Sequence, residues 1–236
     1  MASGSGLAED VHWGYAGKEG PAYWGDLSGK FSACAEGRKQ SPINFSGTAS
    51  GGGVAVFDYG AIPLDVFNNG HTVEVKVEPG NSAVLAGKTY ELLQFHFHSP
   101  SEHTVGGSSA AMEVHFVHRS SEGKLAVVSV LVEEGAANDT LGVIASHQLT
   151  AHHIEEGAAR VPDETVNGSG LLPASYAFTA YSGSLTTPPC SEGVAWFVMK
   201  DSITATPGQI AIMQAAMPTN ARPTQPLNDR LMRGSD

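Results

Sequence analysis

A chain of 236 residues with 41% hydrophobic residues has material for a sizeable core, and at this length an all-β fold commonly forms one domain. Charged residues are only 16% against a typical ~25%, there are 28 glycines, and the net charge of -11 comes from 24 acids and 13 bases without a basic cluster. That balance excludes a binder of nucleic-acid phosphates, and no apolar run reaches the roughly 18 residues of a membrane span, so a soluble chain is expected.

In chain order, the first ten residues, MASGSGLAED, lack an apolar signal stretch. They read as a start methionine and small-residue linker before a mature N-terminus, any export signal having been removed. Residues 1–10 are therefore expected to be disordered and 11–236 to form a single domain. Cys34 and Cys190 read as two buried thiols or as one disulfide, and sequence alone does not decide. A bond closing so long a loop would contribute at most on the order of 5 kcal/mol and would imply an oxidising compartment. The run from His71 to Glu78 alternates apolar and charged residues, which predicts a half-buried strand ended by Pro79-Gly80-Asn81. Leu92 to His98, Ala111 to His118 and Leu125 to Val132 are further strands. The last is apolar on both faces and is expected at the sheet centre, covered on both sides. Helix signals are sparse: Asn138-Asp139-Thr140 caps a short helix to about Thr150, and Pro207 opens another through Met217. No repeat or linker divides the chain. The prediction is a mostly β domain on one large, twisted, mainly antiparallel central sheet with a few short peripheral helices.

The chemistry concentrates in Gln94-Phe95-His96-Phe97-His98. On a strand, side chains at i and i+2 leave the same face with Cβ atoms roughly 6 to 7 Å apart, so His96 and His98 can reach one metal ion. A catalytic zinc takes three protein ligands and keeps one position for water. In Glu113-Val114-His115-Phe116-Val117-His118, parity admits only one of the two histidines. His115 is preferred because Glu113, on its own face, can orient the ring, as Gln94 can orient His96.

These motifs, with Ser101-Glu102-His103-Thr104-Val105 and the later run from Tyr181 to Pro189, resemble the α-class carbonic anhydrases. The likeness runs from His12-Trp13-Gly14-Tyr15 through Gln40-Ser41-Pro42-Ile43-Asn44 and Asn68-Asn69-Gly70-His71 to Asn220-Ala221-Arg222-Pro223, and it looks most like the compact bacterial members. The resemblance implies a zinc lyase that reversibly hydrates carbon dioxide to bicarbonate and a proton by attack of zinc-bound hydroxide, followed by histidine-mediated proton transfer. It implies Zn2+ on His96, His98 and His115, with Gln94, Glu113 and the Asn220 carbonyl behind them. Thr186 would accept from the hydroxide and donate to Glu102, and its N–H would meet substrate or an inhibiting anion. Val117, Val127, Leu185, Val194 and Trp196 would wall the carbon dioxide, with Thr187 beside it. His71 would shuttle protons through waters held by Tyr15, Asn69 and Thr187. Cys34 and Cys190 would be bridged, the peptides before Pro42 and Pro189 would be cis, and sulfonamides would inhibit. Secretion, to a periplasm or a lumen, would follow, and a homodimer is allowed.

Other residues have plainer readings. Strict alternation would pack His71 on the apolar face with Val73 and Val75, although its place at the very start of the strand loosens that constraint. His103 is expected to be structural, bonded to Glu113 or Tyr181. His12, His118 and His147 are expected to be surface or core residues without a catalytic role, and His152-His153 at most an adventitious metal site. Glu74 departs from the amide common in relatives and would put a further carboxylate on the cavity wall. The competing functions are a non-catalytic binding protein and a zinc esterase.

Overall fold

Among the described residues, period-two alternation builds a sheet of 12 strands. The computed structural model describes residues 11–46, 55–151, 157–217 and 219–234, and side chains within these outside 148–151 and 157–163. The predicted N-terminal segment and His152-His153 lie outside the described residues. In chain order the strands of the sheet are β1 (Ala55–Asp58), β2 (Ala61–Asn68), β3 (Val73–Lys76), β4 (Ser82–Leu85), β5 (Lys88–His98), β6 (Met112–Arg119), β7 (Leu125–Glu134), β8 (Gly157–Asn167), β9 (Phe178–Ser184), β10 (Glu192–Met199), β11 (Ile203–Ala205) and β12 (Arg233–Gly234). The main path across the sheet is β8-β2-β3-β5-β6-β7-β10-β9-β12, with β1 and β4 extending β5 and β11 alongside β7. Pairing is antiparallel except where β7 runs parallel to β10 and β11. The doubly apolar run at Leu125 to Val132 does lie at the centre, as β7.

The helices α1 (Trp24–Leu27), α2 (Ala33–Glu36), α3 (Asp139–Ala151) and α4 (Pro207–Ala216) are short. Each of the two longer ones starts on a polar cap. Asn138 Oδ1 accepts the Leu141 N–H at 2.9 Å ahead of α3. Thr206 and Gln209 form a reciprocal capping box before Pro207 in α4. Both pack on one face of the sheet, where Leu141, Ile144, Ile210 and Met213 join Phe95, Phe97, Val114, Phe116, Val128 and Val130 in the main core. Burying each such side chain contributes roughly 1.5–3 kcal/mol. The alternate residues of β5, β6 and β7 are thereby turned to the other face.

One strand differs from its prediction. The alternation from His71 to Glu78 yields only Val73–Lys76, because Asn69 Oδ1 accepts the N–H groups of His71 and Thr72, both at 2.9 Å, and Gly70 takes φ 79°. His71 therefore sits in the connection before β3 and escapes the packed position that strict alternation would give it. Cys34 and Cys190 form a disulfide. The peptides before Pro42, Pro100 and Pro189 are cis, the one at Pro100 in addition to those expected.

Candidate metal centre

Strand register assembles the site in rows. Across β3, β5, β6, β7 and β10 the paired residues are Glu74, His96, His115, Ser129 and Val198. The next row runs Lys76, Gln94, Val117, Val127, Trp196 and on to Tyr181 in β9. Directly opposed residues project from the same face, which brings His96 and His115 together, and His98, two residues on from His96 and opposite Glu113, projects from that face too. The ring centroids of His96, His98 and His115 lie 5.1, 5.3 and 4.5 Å apart in pairs.

Each ring has one nitrogen committed to an acceptor. His96 Nδ1 meets Gln94 Oε1 at 2.8 Å, His98 Nδ1 meets the Asn220 carbonyl at 2.8 Å, and His115 Nε2 meets Glu113 Oε1 at 2.7 Å. That assigns the protons and leaves lone pairs on His96 Nε2, His98 Nε2 and His115 Nδ1. Burial is the first cause holding all three rings below the usual imidazole range, that of His96 furthest, so they stay neutral. Ligand atoms of the three rings lie within 4.8 Å of one another. His98 Nε2 is buried without a hydrogen-bond partner, a cost of about 1–3 kcal/mol that a metal ion would relieve. Three neutral imidazoles, oriented from behind and desolvated in front, fit a zinc ion.

Behind His115 lies a buried polar network. Glu113 Oε2 accepts the N–H groups of Glu102 and His103 at 2.8 Å each, and Oε1 also accepts His103 Nδ1–H at 2.6 Å. His103 Nε2 lies 2.7 Å from the Tyr181 hydroxyl, which donates to Ser41 Oγ at 2.8 Å. His103 thus bonds both of its expected partners. Burial alone would push the Glu113 carboxyl up, but electrostatic attraction to His103 and His115 and the hydrogen bonds they donate outweigh it and hold the group well below the usual range.

Glu102 stands at the edge of the triad, its Oε2 3.6 Å from His98 Nε2 and 3.9 Å from His115 Nδ1. Its Oε1 accepts the Arg222 N–H at 2.9 Å. Burial raises its carboxyl to about 7, against the pull of His115, the Arg222 N–H and the Thr186 hydroxyl. The loop carrying Thr186 is anchored by Ser184, whose Oγ accepts the Ser41 N–H at 2.9 Å and whose carbonyl accepts Trp196 Nε1–H at 3.0 Å. Beside the triad, Val127, Val194 and Trp196 form a second apolar cluster, with Val117 and Leu185 packed against it.

His71 is half-buried, its ring stacked on Trp13 at 3.9 Å and edge-on to Tyr15 at 6.5 Å. Asn220 connects this corner to the triad: its Nδ2 donates to the carbonyls of His71 and Phe97, each at 3.0 Å. Asn69 spends its Oδ1 on the His71 turn. Burial, with the charge of Glu102, raises the Tyr15 phenol and keeps it protonated. Thr187 is half-buried, and its carbonyl accepts the Cys190 N–H at 2.8 Å. Glu74 is partly buried on the site face, and burial raises its carboxyl against Lys76. His12 is exposed beside Glu19 at 3.5 Å, His147 pairs with Glu164 at 2.6 Å, and His118 is buried against Tyr59. Sequence reasoning missed Ser129 and the guanidinium of Arg222. The only sign of Ser129 was one hydroxyl interrupting an apolar strand.

Comparison with known proteins places this geometry. A family model described as eukaryotic-type carbonic anhydrase matches residues 19–236. A carbonic anhydrase from Nostoc sp. is 46% identical over 232 residues, 95% of this chain and 86% of that protein. An α-carbonic anhydrase from Thermovibrio ammonificans, solved with sulfanilamide, superposes with a TM-score of 0.88 at 38% identity, covering 95% of this chain and 99% of that one. A carbonic anhydrase from Chlamydomonas reinhardtii in complex with acetazolamide gives a TM-score of 0.82 at 37% identity, over 94% of this chain and 99% of its own. With matches along nearly its whole length and a three-histidine centre oriented from behind, the chain belongs to the eukaryotic-type, or α, carbonic anhydrase family.

Proposed function

We propose that this chain reversibly hydrates carbon dioxide to bicarbonate and a proton, with zinc held by His96 Nε2, His98 Nε2 and His115 Nδ1. The reading is carried by three neutral ring nitrogens, two buried and that of His96 half-buried, whose ligand atoms cluster while their partner nitrogens are tied to Gln94, Asn220 and Glu113. Held by uncharged ligands, zinc keeps its double charge and lowers the pKa of a bound water toward ~7, the carbonic anhydrases being the reference case for this effect.

The chain's own residues do the rest. The Thr186 hydroxyl, whose contact stabilises the Glu102 carboxylate, donates to it, leaving the Thr186 oxygen to accept from a donor in the site and so to orient it. Val117, Val127, Leu185, Val194 and Trp196 exclude water and hold carbon dioxide near the centre without binding it tightly, which would bring no rate advantage. His71 takes the proton to solvent, since an imidazole titrates near neutrality, with Tyr15, Asn69 and Thr187 arranging the waters between. Arylsulfonamides and small anions are the expected inhibitors. The Cys34–Cys190 bond supports export to an oxidising compartment, and no helix among the described residues is long and apolar enough to cross a membrane.

The test is stopped-flow carbon dioxide hydration alongside metal analysis. Purified protein is expected to carry stoichiometric zinc, to lose hydration on full chelation and to regain it when zinc returns. Hydration at the untreated rate by chelated protein would reject the assignment.

A further inference from the structure

Ser129 is the only polar side chain between Ala126 and Val132, and a hydroxyl in a strand covered on both sides is costly unless it is bonded. It is fully buried, and its cross-strand partner is His115, so the two side chains stand side by side on the site face. The Ser129 hydroxyl donates to Glu113 Oε1, the oxygen that also accepts His115 Nε2–H at 2.7 Å and His103 Nδ1–H at 2.6 Å. Glu113 Oε2 is held by the backbone of Glu102 and His103. Three of the donors on this carboxylate thus belong to the Glu102-His103 segment and draw it that way, while only His115 and Ser129 hold it from the sheet.

We propose that Ser129 is a positioning residue of the metal centre. By keeping Glu113 Oε1 over His115 Nε2, it fixes the ring so that Nδ1 faces the point shared with His96 and His98, and it thereby slows zinc release. The inference rests on the zinc reading of the triad. Ser129 has a single hydroxyl proton to donate. Here it is spent on the carboxylate oxygen that orients a ligand, and partners of that kind are typically worth about 10- to 100-fold in metal affinity.

Zinc release into excess chelator, followed by the absorbance of the chelator complex, tests this in the parent, Ser129→Ala and Val130→Ala. Val130 is the next residue along β7 but faces the helix-covered core, so truncating it loosens the strand without touching Glu113. The expected result is release about tenfold faster from Ser129→Ala, with Val130→Ala near the parent rate despite a lower melting temperature. Parent-like release from Ser129→Ala, or equally fast release from Val130→Ala, would overturn the positioning role and leave the zinc site standing. A parent protein that takes up no zinc would overturn the zinc reading, and this inference with it.

Discussion

Orientation of individual rings decides what the site can do. His71 is held at the site's edge by stacking on Trp13 and by the Asn69 turn, outside the regular strand. In weak buffer, His71→Ala is expected to slow hydration about 10²-fold, and added imidazole should restore it. Unchanged turnover without imidazole would remove the shuttle. His118 has the opposite environment. The Tyr59 hydroxyl lies 2.6 Å from its Nε2, the Phe116 carbonyl accepts its Nδ1–H at 2.9 Å, and burial lowers its pKa to about 4. Because the folded value lies below the unfolded ~6.5, its contribution is full above pH ~6.5 and is lost as pH falls toward 4. The amount is about 3 kcal/mol. Urea unfolding of zinc-free protein at neutral and acid pH should show that loss in the parent and not in His118→Gln; equal losses would contradict the linkage.

At the scale of elements, the strands were legible because alternation is a local property. His96 and His98 share a face whatever their neighbours, and Glu113 shares one with His115. The apolar run at β7 announced a central strand for the same reason. Alternation failed at His71, where one side chain, Asn69, captured two backbone N–H groups and shortened the strand. The parallel pairing of β7 with β10 and β11 left no periodic trace, since a strand reads alike in either direction. Ser129 was invisible as a site residue because its meaning depends on a register that sets it opposite His115.

Across the whole molecule, distant segments are clamped around Glu102 and Thr186. Arg222 is buried, and its guanidinium donates to Gln40 Oε1, the Ser41 carbonyl and the Cys34 carbonyl at 2.9, 2.8 and 2.9 Å, while its N–H holds Glu102. The disulfide joins the same N-terminal segment to Cys190, next to the loop that carries Thr186 and Thr187. Replacing both cysteines with Ala is expected to cost about 2–5 kcal/mol and to lower the melting temperature, read by calorimetry. A melting point equal to the parent's would show that Arg222 and the core suffice.

The sequence by itself determined that His96 and His98 share one strand face and that Glu113 shares one with His115, because both follow from short-range covalent geometry, and its separated motifs carried the resemblance to the family. Tertiary structure alone decided which nitrogen each ring presents, that Cys34 meets Cys190, that Arg222 reaches a carbonyl 188 residues away, and that Ser129 stands beside His115. Those depend on register and long-range packing, which arise only when separate strands and loops meet around a desolvated centre.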